Sequence, residues 1–176
     1  MRIIFFLLLV SFNLNAKTSN EKFIDKVAKC SNSIQANYLI EEKVPLKLVV
    51  AQANLESNWG KSRFAKEGNN FFGMRTWDLN KEHMKPKSNP DSKFGLVVYP
   101  NLCASVKDYL ENINTSEKYY ELRRVRSIEL SLWDSVDPVV LARFLGNYSE
   151  EGELYTQKVI NQIDSLTVSY THLRAH

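Results

Sequence analysis

PLKLVVAQANLESNWGKSRFAKEGNNFFG, residues 45–73, decides how the rest of the chain is read. With Leu46 as origin and about 100° per residue, Leu46, Val49, Val50 and Ala53 fall on one side of a helix, while Leu48, Ala51 and Leu55 cover the back. A helix apolar nearly all round belongs at the centre of a domain. Two narrow polar lines interrupt it, Lys47 with Asn54 and Asn58, and Gln52 with Glu56. Glu56 is the only carboxylate between Val44 and Lys66. Pro45 suits the first helical position, where its missing N–H costs nothing, and Gly60 suits the left-handed residue that ends the helix. Glu56 then sits in the last turn, where the helix dipole and burial both push its pKa upward. A carboxyl kept protonated near neutral pH is what general acid catalysis requires. A surface glutamate beside a helix end is the plain alternative.

On the N-terminal side, Met1 to Ala16 reads as a secretory signal peptide. Arg2 is its charged start, Ile3 to Val10 with Phe12 its apolar segment, and Leu14-Asn15-Ala16 its cleavage site. An uncleaved N-terminal anchor is the alternative; the apolar run is short for a membrane span. Glu21 to about Tyr38 carries Phe23, Ile24, Val27, Ile34 and Tyr38 at helical spacing and predicts a first helix packed outside the central one.

On the C-terminal side, Phe71-Phe72-Gly73 is a compact aromatic turn, read as core ahead of a ligand platform. Helical periodicity fails from Met74 to Pro100, which predicts a small irregular lobe with weak strand pairing, its extended candidate at Phe94 to Tyr99. Helical patterning resumes at about Leu102 in a helix that ends before Thr115, and a second helix, capped by Ser116, runs from Glu117 through Arg123-Arg124-Val125-Arg126. Asp137-Pro138 starts a short apolar helix, Val139 to Leu145, ended by Gly146. A last helix, about Glu153 to Leu166, has Tyr155, Val159, Ile160 and Ile163 as its apolar line, followed by a polar tail. Trp133 is expected in the core. The fold class is mostly α (α+β), one helical domain over residues 17–176 with a small β lobe over about 74–100.

The 176 residues carry a formal net charge of +3, and removing Arg2 with the leader leaves +2. That mild balance gives no case for nucleic acid. Cys30 and Cys103 either pair in an exported protein or remain two separate buried thiols. Neither their spacing nor His83, His172 and His176 forms a metal signature, and there is no phosphate-binding loop. No metal or organic cofactor is implied, no obligate protein partner is readable, and a monomer is expected.

AQANLESNWGKSRFAKEGNNFFGMRTW, residues 51–77, resembles the signature of bacterial peptidoglycan-hydrolysing endo-beta-N-acetylglucosaminidases, more narrowly the Bax-type proteins related to the flagellar cell-wall hydrolase domain. Residues 97–123 also resemble the Bax type, and 147–163 the end of the family's domain, so the similarity covers nearly all of the chain after the leader. The resemblance implies a lysozyme-like fold with the glycan between main and small lobes. It implies Glu56 as the acid and a second carboxylate in the small lobe. Of Asp78, Glu82 and Asp91, alignment on Val97-Val98-Tyr99 favours Glu82. Asp91, preceding the same strand, is the reserve and is counted with the substrate-binding set. Tyr148 and Tyr155 match family tyrosines; Tyr148 is the better functional candidate, whereas Tyr155 also fits simple packing.

Sugar recognition needs flat apolar faces with amide and hydroxyl partners, which makes Trp59, Phe64, Asn70, Phe71 and Trp77 candidate cleft residues. The expected reaction is hydrolysis of the beta-1,4 bond on the reducing side of N-acetylglucosamine in peptidoglycan, in the periplasm or cell envelope. A muramidase or lytic transglycosylase on the same polymer, and a non-catalytic wall-binding protein, are the alternatives.

Overall fold

The structure, a computed structural model, describes residues 17–174, with side chains to residue 166. The leader lies outside the described residues. Among the described residues no helix is long and apolar enough to cross a membrane.

Helix α1, Ser19–Gln35, starts at a capping box: Thr18 Oγ1 accepts from Glu21 N–H at 3.2 Å, and Glu21 accepts from Thr18 N–H at 2.6 Å. It ends at Gln35, short of Tyr38, where the Gln35 side chain clasps the backbone of Val44. The Gln35 amide oxygen accepts from Val44 N–H at 2.6 Å, and its nitrogen donates to the Val44 carbonyl at 3.1 Å.

Helix α2, Leu46–Ser57, is the expected central helix, with Leu48, Val49, Ala51 and Ala53 wholly buried. Burying a leucine of this kind stabilises the domain by roughly 1.5–3 kcal/mol. Pro45 stands one position earlier than expected, as the N-cap, its carbonyl accepting from Leu48 and Val49 N–H. The other end also departs from expectation. Asn58, not Gly60, ends the helix at φ 49°, and Trp59 and Gly60 follow at φ 57° and 72°. Asparagine tolerates this region where most side chains do not. Asn54 Oδ1 accepts from Trp59 N–H at 3.0 Å and Ser57 Oγ from Gly60 N–H at 2.9 Å, so the turn keeps its amides bonded.

Helix α3, Arg63–Gly68, is capped by Ser62 and leads to Phe72, whose ring stacks on Tyr109 at 4.2 Å. The small lobe follows as β1 (Arg75–Thr76), β2 (His83–Met84) and β3 (Gly95–Val97), antiparallel in the order β1-β3-β2. Asn70 tethers it: its amide nitrogen donates to the carbonyls of Met74 and Val97 at 2.8 and 2.9 Å, and its oxygen accepts from Met74 N–H at 3.0 Å.

The rest is helical: α4 (Leu102–Thr115), a 3-10 turn Glu117–Tyr119, α5 (Tyr120–Trp133), α6 (Pro138–Ala142), a 3-10 turn Gly146–Tyr148, and α7 (Glu153–Arg174). Asp137 caps α6 through Val139 N–H at 2.7 Å, with Pro138 at its first position, as the sequence predicts. Helix α6 is shorter than expected, and Gly146 opens the 3-10 turn instead of ending a helix. Helix α7 runs beyond the expected limit at Leu166. Helices α1, α6 and α7 pack around α2, and α1 also packs on α4. Cys30 and Cys103 pair in a disulfide joining α1 to α4, which settles the open alternative.

Trp133 corrects the expectation of a buried ring: it is 70% exposed. The inward side chains of α5 are Leu122 and Arg126, one turn apart. Trp133 shares their face, but the helix end overhangs the core, and residues 131–135 are all exposed.

Candidate active site

Glu56 lines a cleft of about 490 Å³ between the main helices and the small lobe. One wall is Phe72, Gly73, Met74, Arg75 and Trp77; the other comes from Asn112, Lys118 and Tyr119 and from the segment 146–150. Gly73 is needed where it stands. Its φ is +65°, and a Cβ there would lie 3.0 Å from a Glu56 carboxylate oxygen.

The carboxyl of Glu56 is held from beneath by a line of buried polar groups. Tyr109 O–H donates to Gln52 Oε1 at 2.6 Å, Gln52 Nε2 donates to the Tyr155 hydroxyl oxygen at 2.9 Å, and Tyr155 is hydrogen-bonded to Glu56. Gln52 is wholly buried and Tyr155 nearly so. Because Gln52 occupies the acceptor side of the Tyr155 oxygen, the phenolic proton is directed at Glu56. Gln52 and Glu56 are one turn apart on α2, so the helix itself sets this alignment.

Burial raises the Glu56 pKa above the usual glutamate value and is the largest cause. The Tyr155 hydrogen bond opposes it by stabilising the anion. The negative charge of Glu151 raises it further, and the Arg75 cation lowers it. Both tyrosines beside the acid have their own pKa values raised, first by burial, so they remain neutral donors. Tyr148 lies parallel to Tyr155 at 5.3 Å and donates to the Phe72 carbonyl at 2.6 Å. That bond ties the segment after α6 to the turn before β1.

Of the residues singled out from sequence, Glu56, Trp77 and Tyr148 line the cleft, and Tyr155 contacts Glu56 from below. Trp77 is 68% exposed, a flat face at the small-lobe rim. The others stand outside the lining. Trp59 sets its edge on Phe23 at 5.9 Å, Phe71 also packs on Phe23, Phe64 carries the Arg63 guanidinium at 4.6 Å, and Asn70 is the lobe tether. Glu82, just before β2, and Asp91, in the loop before β3, are both exposed on the small lobe. The second carboxylate that does line the cleft is Glu150, paired with Arg75 at 3.1 Å.

Sequence reasoning missed Gln52 as a functional group, although it marked the line Gln52 shares with Glu56. It also missed Arg75, Lys118 and Glu150, whose signal is only that of ordinary surface charge. Tyr109 reads as one more apolar position of α4.

A carboxyl whose pKa is raised by burial thus stands in a groove walled in part by aromatic rings. The chain belongs to the glucosaminidase family, described as mannosyl-glycoprotein endo-beta-N-acetylglucosaminidase, whose profile matches residues 33–167. It is 29% identical over 129 residues to Protein bax of Escherichia coli strain K12, covering 71% of this chain and 44% of that protein. The chain thus spans less than half the length of this relative. In fold it is similar to the catalytic domain of the autolysin Auto from Listeria monocytogenes, with TM-score 0.62, 19% identity and 89% of each chain covered. It is also similar to a C-terminally truncated glycoside hydrolase domain from Salmonella typhimurium FlgJ, with TM-score 0.58, 18% identity, 85% of this chain and 98% of that one.

Proposed function

We propose that this protein is a peptidoglycan hydrolase, an endo-beta-N-acetylglucosaminidase that cuts the beta-1,4 bond on the reducing side of N-acetylglucosamine, with Glu56 as general acid. The observation that carries this reading is the Glu56 carboxyl itself, raised in pKa by burial and steadied by the Tyr109–Gln52–Tyr155 line on the wall of a glycan-sized cleft. In its neutral form Glu56 donates a proton to the glycosidic oxygen as the bond to the anomeric carbon breaks, and leaves as the anion. Tyr155 then stabilises that anion through its hydroxyl. Tyr148, in the same stack, offers a ring face to sugar, and Trp77 a second one across the cleft.

The opposite face of the sugar needs a group to orient water or to stabilise positive charge. We assign it to Glu82, which is exposed on the small lobe just before β2 and is the carboxylate favoured by the family alignment. Glu150 is the competing reading, favoured by its place in the cleft lining. The family resemblance, the disulfide and the leader-like N terminus together support work in an oxidising compartment outside the cytoplasm.

The test is product analysis of purified peptidoglycan digested by wild type and by Glu56→Gln. Reducing-end N-acetylglucosamine from wild type alone is the expected result. Reducing-end muramic acid or 1,6-anhydromuramic products overturn the bond assignment in favour of a muramidase or lytic transglycosylase. Wall binding without cleavage by wild type overturns the enzymatic reading.

A further inference from the structure

Two cations line the cleft in addition to the proposed acid. Arg75 comes from β1, and Lys118 from the 3-10 turn on the other lobe. Arg75 is partly neutralised by Glu150 and rests on the Phe94 ring at 4.4 Å. Lys118 forms no ion pair with any carboxylate of the described residues. Its ammonium instead lies 4.8 Å from the Tyr119 ring centre and 5.9 Å from that of Tyr148. Lys118 is exposed, with its ammonium in cation–π range of both rings and open to a ligand in the cleft. Its pKa is lowered, first by burial and then by repulsion from Arg75, so the two cations feel each other across the groove. An anion taken up in the cleft that both line relieves that repulsion.

We propose that Lys118, assisted by Arg75, forms a carboxylate-binding subsite that makes this cleft select glycan strands bearing acid groups over neutral chitin-type strands. The inference rests on the glycan-cleaving reading and deepens it. In a wall glycan every second sugar carries a lactyl ether whose carboxyl is either free or extended by a peptide with its own carboxylates. Both sources offer the same chemistry to an ammonium. A polymer of N-acetylglucosamine alone offers none.

The experiment measures binding, so that it is independent of cleavage. Glu56→Gln protein is titrated with four soluble strands of matched length: peptide-bearing, peptide-stripped with free lactyl carboxyls, stripped and capped as methyl amides, and chito-oligosaccharide. At least one carboxylate-bearing strand is expected to bind roughly tenfold more tightly than the capped and neutral strands. Preference for the stripped strand assigns the lactyl carboxylate, and preference for the intact one assigns the stem peptide. Adding Lys118→Met is expected to reduce the charged-to-neutral preference roughly tenfold, and Lys118→Arg to restore most of it. Equal binding of all four strands, or a preference unmoved by Lys118→Met, overturns the subsite. A wild type that fails to cut wall while Glu56→Gln still discriminates by charge sinks the hydrolase reading and leaves this one standing.

Discussion

The Tyr155 hydroxyl is locked toward Glu56 because Gln52 donates to the same oxygen at 2.9 Å from the turn below. A residue of the last helix and one of the central helix thereby oppose part of the upward pull that burial exerts on the pKa of Glu56. Tyr155→Phe removes the bond that stabilises the anion, so the Glu56 pKa moves further upward. A bond of this kind is worth about 1 kcal/mol, which places the alkaline limb of the pH–rate profile roughly one unit higher. A limb displaced downward would contradict the assigned direction of the bond.

Glu56→Gln should lower kcat on peptidoglycan about 10²- to 10⁴-fold. Its effect on stability has the opposite sign. The folded-state pKa of Glu56 is raised, so the wild-type side chain fits best when protonated, and that benefit is lost as pH rises through the folded value. The substituted protein should therefore be the more stable of the two at neutral and alkaline pH, with the difference fading below the ordinary glutamate pKa. Urea melts of both proteins across that range give the comparison.

Gly73→Ala introduces a methyl group 3.0 Å from the Glu56 carboxylate and a side chain into a left-handed position. The backbone cost is about 1–2 kcal/mol. Activity should fall beyond what the stability loss explains, because the methyl displaces the acid. Kinetics at a temperature where both proteins are fully folded separate the two effects.

Glu82→Gln and Glu150→Gln address the opposing role. Loss of kcat with the fold intact in the first, and a small change in the second, is expected. The reverse pattern moves the role to the segment after α6 and makes the Arg75 pair part of the chemistry.

Cys103→Ser removes a link spanning 73 residues, for which loop closure accounts for about 4 kcal/mol. Chemical denaturation with and without a reductant should show that loss in wild type and no further loss in the substituted protein.

The central helix was legible because seven apolar residues within Leu46–Leu55 leave a helix no solvent face, and one acid on it stands out. The Asp137-Pro138 start was legible because its signal is local. The helix ends were less so. Gly60 drew the reading away from Asn58, since three successive left-handed residues leave no simple pattern. Trp133 was misread because a hydrophobic face says nothing about where the core stops. The cleft's far wall was least visible: Lys118, Glu150 and Arg75 are distant in sequence and ordinary in type, and only the packing of the lobes brings them together. The lining also excludes Trp59, Phe64 and Phe71, whose rings were spent on holding α1, α3 and the aromatic turn.

A covalent tie joins α1 to α4, while the small lobe has strands of two or three residues and is held by hydrogen bonds such as those of Asn70. The molecule is therefore stapled along its spine and loosely stitched along its lip. Amide exchange should be slowest in α1, α2 and α4 and fastest in residues 75–97, so heat would undo the jaw long before the spine.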